Sequence, residues 1–125
     1  MVTPGSQVIQ KGIKKRIKRE YSLEAVRRLA SEQKVSYGSR DVIRDTENFG
    51  YSLDDVCNCL ASLQEDDYHE SVDYGDKRGW LDVYKCSWPA PVAPESRIDN
   101  LYVKFKLNRD CILIVLASFH PEGAL

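Results

Sequence analysis

The chain has 125 residues, of which 42% are hydrophobic and 30% charged, with a formal net charge of −1 at pH 7. This is the size and balance of one ordinary globular domain. It excludes a disordered chain and leaves enough length to bury a core without a metal or disulfide staple. The longest apolar run, Cys111 to Ala117, is strand-sized and far below the ~20 residues of a membrane span. Met1-Val-Thr-Pro-Gly followed by a basic run does not form a signal peptide, so a soluble, cytoplasmic protein is the expectation.

Charge is segregated along the chain. Residues 1–44 hold 11 Lys/Arg against 4 Asp/Glu, whereas residues 45–75 hold 9 Asp/Glu and no Lys or Arg. The densest basic block runs from Lys11 to Arg19 and includes Lys14, Lys15 and Arg16. Such a block attracts a phosphate backbone or forms a solvated tail, and the run itself does not decide between the two. Residues 1–17 are expected to be a basic, flexible N-terminal extension, and 18–125 a single domain.

A first helix is predicted from the cap at Ser22, with Leu23, Val26, Leu29 and Ala30 on its buried face. Val35-Ser-Tyr forms a short strand. Ser39 caps a second helix carrying Val42, Ile43 and Thr46, which Gly50 stops. The third helix has the clearest local signature: Ser52 and Asp55 make a capping box, Tyr51 staples against Val56, and Leu53, Val56, Cys57, Leu60 and Leu63 share a stripe. Strands follow. Trp80, Val83 and Tyr84 mark one over Gly79–Cys86, and a proline-punctuated loop runs from Trp88 to Glu95. Leu101, Val103, Phe105 and Leu107 then alternate with Tyr102, Lys104 and Lys106, giving a half-buried strand with a Tyr/Lys/Lys face. Asn108-Arg-Asp connects it to a buried strand over Cys111–Phe119. Helices first and antiparallel strands second make an α+β fold with helices packed on one face of a C-terminal sheet.

Several chemistries are absent from the sequence. There is no Gly-rich phosphate loop, no Gly-x-Ser-x-Gly elbow and no His-Glu-x-x-His helix. Cys57, Cys59, Cys86 and Cys111 form no Cys-x-x-Cys pair, and His69 and His120 are far apart, so the thiols read as small apolar residues and no metal is expected. What remains is the face of Tyr102, Lys104 and Lys106. Antiparallel pairing through residues 108–110 brings its Tyr102 end near Phe119 and His120. A Tyr, a Lys and a His together can cleave RNA without metal: one group takes the 2′-hydroxyl proton, a cation steadies the phosphorane, and another group protonates the leaving oxygen. The same residues also suit an ordinary solvent-facing strand. The Asp66-Asp67-Tyr68-His69-Glu70 cluster has the composition of acid–base carboxylates or a cation site, and reads better as the polar end of the third helix leading into a strand.

Lys18-Arg-Glu-Tyr-Ser-Leu, Tyr37-Gly-Ser-Arg, Gly50-Tyr-Ser-Leu-Asp-Asp-Val, Asp67-Tyr-His-Glu-Ser-Val, Trp80-Leu-Asp-Val-Tyr, Leu101-Tyr-Val-Lys-Phe and Ser118-Phe-His follow one another in the order seen in MqsR-type toxins. Over residues 18–120 the chain resembles that family. The resemblance implies a RelE-like fold and a metal-independent, sequence-specific endoribonuclease that cleaves mRNA and inhibits translation and growth. It further implies a cognate antitoxin protein encoded adjacently, with no cofactor. The family's pattern has a Lys after Asp-Phe-Tyr, a Gln after the Trp, the Tyr of Leu-Tyr-x-Lys, and a Lys after Ser-Phe. Those places here hold Glu70, Leu81, Tyr102 and His120, so only the Tyr is kept. The expected catalytic set is Tyr102 and His120 for proton transfer or orientation, Lys104 for charge and Glu70 as base. Lys106, Lys85, Lys14, Lys15 and Arg16 are expected to bind RNA. A second reading follows from the substitutions: a catalytically inactive RelE-like chain that binds protein or RNA.

Overall fold

A computed structural model describes residues 12–91 and 97–123. The first eleven residues of the basic extension, residues 92–96 of the proline-rich loop and the last two residues lie outside the described residues. The elements are β1 (Lys14–Arg16), α1 (Leu23–Ser31), β2 (Val35–Tyr37), α2 (Arg40–Asn48), α3 (Leu53–Ala61), a 3-10 turn at Glu65–Asp67, β3 (Tyr68–Asp73), β4 (Trp80–Pro89), β5 (Ile98–Leu107) and β6 (Ile114–Pro121).

Each helix starts at a serine whose hydroxyl accepts from a backbone N–H left free in the first turn: Ser22 from Ala25, Ser39 from Val42, and Ser52 from Asp55. At α3 the Asp55 carboxylate reciprocates by accepting from the Ser52 N–H at 2.9 Å, which completes the predicted capping box. The buried faces are rotated slightly from the sequence reading. Val42, Asp45 and Thr46 are buried on α2, and Val56, Cys57, Cys59, Leu60 and Leu63 on and just beyond α3, while Ile43 and Leu53 are 39% and 40% exposed. Both buried sets are built on i, i+3, i+4 spacing, which leaves Ile43 and Leu53 on the flanks.

The six strands form one sheet in the order β1-β3-β4-β5-β6-β2. The sheet is mixed rather than wholly antiparallel, because β2 runs parallel to β6 with Val35 opposite Ile114. No hairpin ties these two strands, so nothing in the chain forces the antiparallel direction. The pair is locked at both ends, where Ile114 N–H donates to Lys34 O at 3.0 Å and Gly38 N–H to Leu116 O at 2.7 Å. The sheet also begins earlier than the domain boundary expected from the sequence. Lys14–Arg16 pair antiparallel with Ser71–Asp73 and form an edge strand, a place where lysines are tolerated because one side faces water. β6 begins at Ile114. Cys111, expected to open a buried strand, is exposed in the preceding turn with φ +56°. There the Asn108 side-chain oxygen accepts from the N–H groups of Ile112 and Leu113.

Strand alternation sorts the interior into two clusters. The larger joins helix residues such as Val26, Leu29, Val56 and Leu60 to Tyr84, Leu101, Val103, Phe105, Leu116 and Phe119. The smaller, on the opposite face, contains Val72, Leu81 and Val83 beneath Tyr74, Tyr102 and Ala117. Between β1 and α1 the chain is latched by Asp82. Its fully buried carboxylate accepts from the N–H groups of Glu20 and Tyr21, each at 2.9 Å, and lies 2.6 Å from the Ser71 hydroxyl. Burial raises the Asp82 pKa above the ordinary carboxylate value, outweighing the lowering by Ser71 and the two backbone N–H groups.

Candidate active site

The sheet register assembles the site from distant parts of the chain. Lys85, Tyr102 and His120 lie side by side across β4, β5 and β6, and the next row on the same face holds Glu70, Val83, Lys104 and Ser118. The Tyr102 ring stacks on the His120 imidazole, with centroids 5.5 Å apart and planes 16° from parallel. The ammonium of Lys104 lies 5.9 Å from the Tyr102 ring centre and donates to the Tyr74 hydroxyl at 2.7 Å. Tyr74 is flanked on its ring by Lys104 at 4.7 Å and by the Arg78 guanidinium at 5.1 Å, so two cations converge on it.

Burial raises the Tyr102 pKa first, and Tyr74, Glu70 and Glu122 add to the shift. The phenol is therefore a proton donor at neutral pH. Among the described residues its hydroxyl has no hydrogen-bond partner. His120 Nδ1 lies 3.0 Å from the carbonyl oxygen of Pro121. A carbonyl only accepts, so Nδ1 is the donor in this contact, and in the neutral imidazole that makes Nε2 the acceptor. The cluster thus holds a donor, an acceptor and a cation within one patch, enough to take a proton, give a proton and hold an anion.

The remaining residues singled out from the sequence divide by face. Lys106 lies two residues beyond Lys104 on the same side of β5. Glu70 reaches the face from β3, where its carboxylate sits 3.7 Å from the Lys15 ammonium. Lys85 also belongs there but is paired with Glu122 at 2.7 Å. Arg16 does not join them: its guanidinium lies 4.0 Å over the Trp80 ring and bonds Glu20 and the Lys18 carbonyl. Lys14, two residues away on β1, shares the Arg16 side of the strand. Tyr74 and Arg78 were not singled out from the sequence. Their signal was the Asp73-Tyr-Gly-Asp-Lys-Arg-Gly connection, whose Gly75 and Gly79 adopt positive φ and turn β3 back into β4.

Among the described residues no group of three or more His, Cys, Asp or Glu side chains is arranged to hold a metal, and no helix is long and apolar enough to cross a membrane. The chain is similar to the mRNA interferase toxin MqsR of Escherichia coli strain K12. The two are 25% identical over 93 residues, which span 74% of this chain and 86% of that protein. The family model described as motility quorum-sensing regulator, toxin of MqsA, matches residues 18–121, and the chain belongs to this MqsR toxin family.

Proposed function

We propose that the chain is the toxin of a toxin–antitoxin pair, a metal-independent endoribonuclease that cleaves mRNA at a short sequence and so inhibits translation and growth. The observation that carries this reading is the stacked Tyr102–His120 pair beside the Lys104 ammonium. Membership of the MqsR family and the name of the E. coli relative support mRNA as the substrate. A RelE-like arrangement, with helices over one sheet face and the cleavage site on the other, is consistent with the two core clusters. The cytoplasm is where mRNA and an antitoxin would be met.

In this mechanism His120 Nε2 takes the 2′-hydroxyl proton, and the 2′-oxygen attacks the adjacent phosphorus. Lys104 neutralises the charge that gathers on the phosphorane oxygens, aided by Arg78. The Tyr102 phenol gives its proton to the 5′-oxygen as the P–O5′ bond breaks. The products are a 2′,3′-cyclic phosphate and a 5′-hydroxyl, and transfer of the proton from imidazolium to tyrosinate restores the site. Glu70 has a secondary part. It is engaged by Lys15 and helps hold the phenol protonated, rather than serving as the principal base. Lys106 and Lys15 extend the RNA-binding face, with Lys85 at its margin.

The test is cleavage of a mixed-sequence single-stranded RNA by purified protein in EDTA, with the fragment ends identified. Cleavage to cyclic-phosphate ends supports the proposal, and its absence with folded protein refutes it. The Lys15–Glu70 pair, which cancels a cation on the face, favours one other reading: a non-cleaving module that binds RNA or an antitoxin. RNA binding without cleavage in the same samples would select it.

A further inference from the structure

Beside the Lys104 row, the same sheet face opens into a cavity of about 210 Å³. This is smaller than the ~300–1,000 Å³ of pockets for drug-sized ligands and suits a single ring system. Its floor is apolar, made by Leu81, Val115 and Ala117. Two cations, Arg78 and Lys106, stand at its rim. Gly38 and Ser39 form the far wall, and Gly38 keeps that wall tight against β6, since a Cβ there would lie 2.9 Å from the Leu116 carbonyl oxygen. Asp76 pairs with Arg78 at 2.9 Å, which leaves Lys106 as the cation without an ion pair among the described residues.

Position decides what this cavity can take. Strand geometry puts Lys106 ~7 Å from Lys104 and ~14 Å from Tyr102 along β5, a ladder of steps comparable with those between successive phosphates of an extended single strand. An apolar floor with a cationic rim matches the two halves of a nucleotide, a flat base and a charged phosphate. Leu81, which occupies the place the family resemblance gives to a glutamine, supplies part of that floor.

We propose that this cavity receives one unpaired nucleobase of the RNA, adjacent to the bond cleaved between Tyr102 and His120, with Lys106 holding that nucleotide's phosphate. The cavity then sets a base preference at one position of the cleavage sequence. This rests on the RNA-cleaving reading above but makes its own demand, that the chain bind single-stranded RNA through this cavity.

The test uses the full chain and two cavity variants, Ala117→Phe, which fills the floor, and Lys106→Ala, which removes the rim charge. Melting curves first establish that each is folded. Binding is measured by fluorescence anisotropy on labelled single-stranded RNA hexamers that vary one base at a time, in a Tyr102→Phe background that blocks cleavage. The parent is expected to prefer one base at one position. Ala117→Phe should lose that preference and about tenfold in affinity, and Lys106→Ala should lose affinity for all bases alike. Cleavage of a randomised RNA by the chain with and without Ala117→Phe supplies the second readout, with the cut-site preference broadened at that position and KM raised more than kcat falls. Unchanged preference and affinity in both folded variants overturns the cavity assignment alone. Binding that depends on the cavity without any cleavage by the parent overturns the ribonuclease reading and leaves the cavity. No binding of RNA by the parent overturns the cavity assignment.

Discussion

Tyr102→Phe separates chemistry from packing. The phenyl ring keeps the stack on His120, and the hydroxyl it loses has no hydrogen-bond partner among the described residues. The change should therefore alter stability by no more than ~0.5 kcal/mol, the scale of substitutions that break no buried contact. If the phenol delivers the proton to the leaving oxygen, the same change should slow cleavage by ~10²–10⁴-fold, or about 3–5 kcal/mol of transition-state stabilisation. Single-turnover cleavage of end-labelled RNA in EDTA, run alongside thermal unfolding, reads both quantities. Tyr102→Ala is the companion, since it removes the stack as well and should lower both. Because burial, Tyr74, Glu70 and Glu122 all raise the phenol pKa, ionisation of Tyr102 should not limit the rate at any pH below its ordinary value near 10. A rate within twofold of the parent, or a loss of rate matched by a loss of stability, would refute the proton-donor assignment.

Further outcomes follow from the geometry. His120→Gln should slow cleavage by ~10²-fold or more if the imidazole takes the 2′-hydroxyl proton, and an unchanged rate would remove it as proton carrier. Lys104→Met should cost ~10²-fold or more in rate with little change in Tm, since among the described residues its ammonium hydrogen-bonds only the Tyr74 hydroxyl; an unchanged rate would leave phosphorane stabilisation to Arg78. Asp82→Ala orphans two backbone N–H groups and should lower stability by ~3 kcal/mol, seen as a Tm drop on the order of 10 °C. The raised folded-state pKa of Asp82 means that its titration favours folding below the ordinary carboxylate value and loses that contribution as pH rises through the raised value, so Asp82→Asn should remove this pH dependence; an identical pH–stability curve would count against it. Finally, Cys59 and Cys86 face each other with sulfurs 3.7 Å apart, a contact that lowers the Cys86 pKa and, with burial, raises that of Cys59. Cys59 is buried and Cys86 only partly so, and alkylation followed by peptide mass analysis should therefore find Cys86 modified before Cys59; the reverse order would contradict this difference in access.

Local patterns carried most of the fold in the sequence. Three serine caps, a capping box and the alternation of Leu101–Leu107 each act through neighbours a few residues away, and each appears where it was read. The parts that escaped depend on contacts from far along the chain. Lys14–Arg16 has no apolar pattern of its own and becomes a strand only because β3 offers it an edge. The parallel direction of β2 is decided by β6, almost eighty residues later. The site divides in the same way. Tyr102 opposite His120 followed from one antiparallel connection, whereas Tyr74 and Arg78 reach Lys104 through the β3–β4 turn, whose geometry rests on two glycines. A charge count groups Arg16 with the other basic residues and cannot see the Trp80 ring beneath its guanidinium.

The strand order has a consequence for when the molecule becomes complete. β3 to β6 form a meander of consecutive neighbours, while the two strands that close its edges, β1 and β2, come from the first 37 residues. During synthesis those edge strands are made first and have nothing to pair with until the meander exists. β2 in particular waits for β6, the last strand to appear. The meander, for its part, has two bare edges until β1 and β2 return to cover them, and bare edges are where wrong partners add. His120 lies on β6 as well, so the row it shares with Lys85 and Tyr102 forms only at that final pairing. Under the proposed mechanism, the face that would cut RNA therefore arises in the same step that seals the fold.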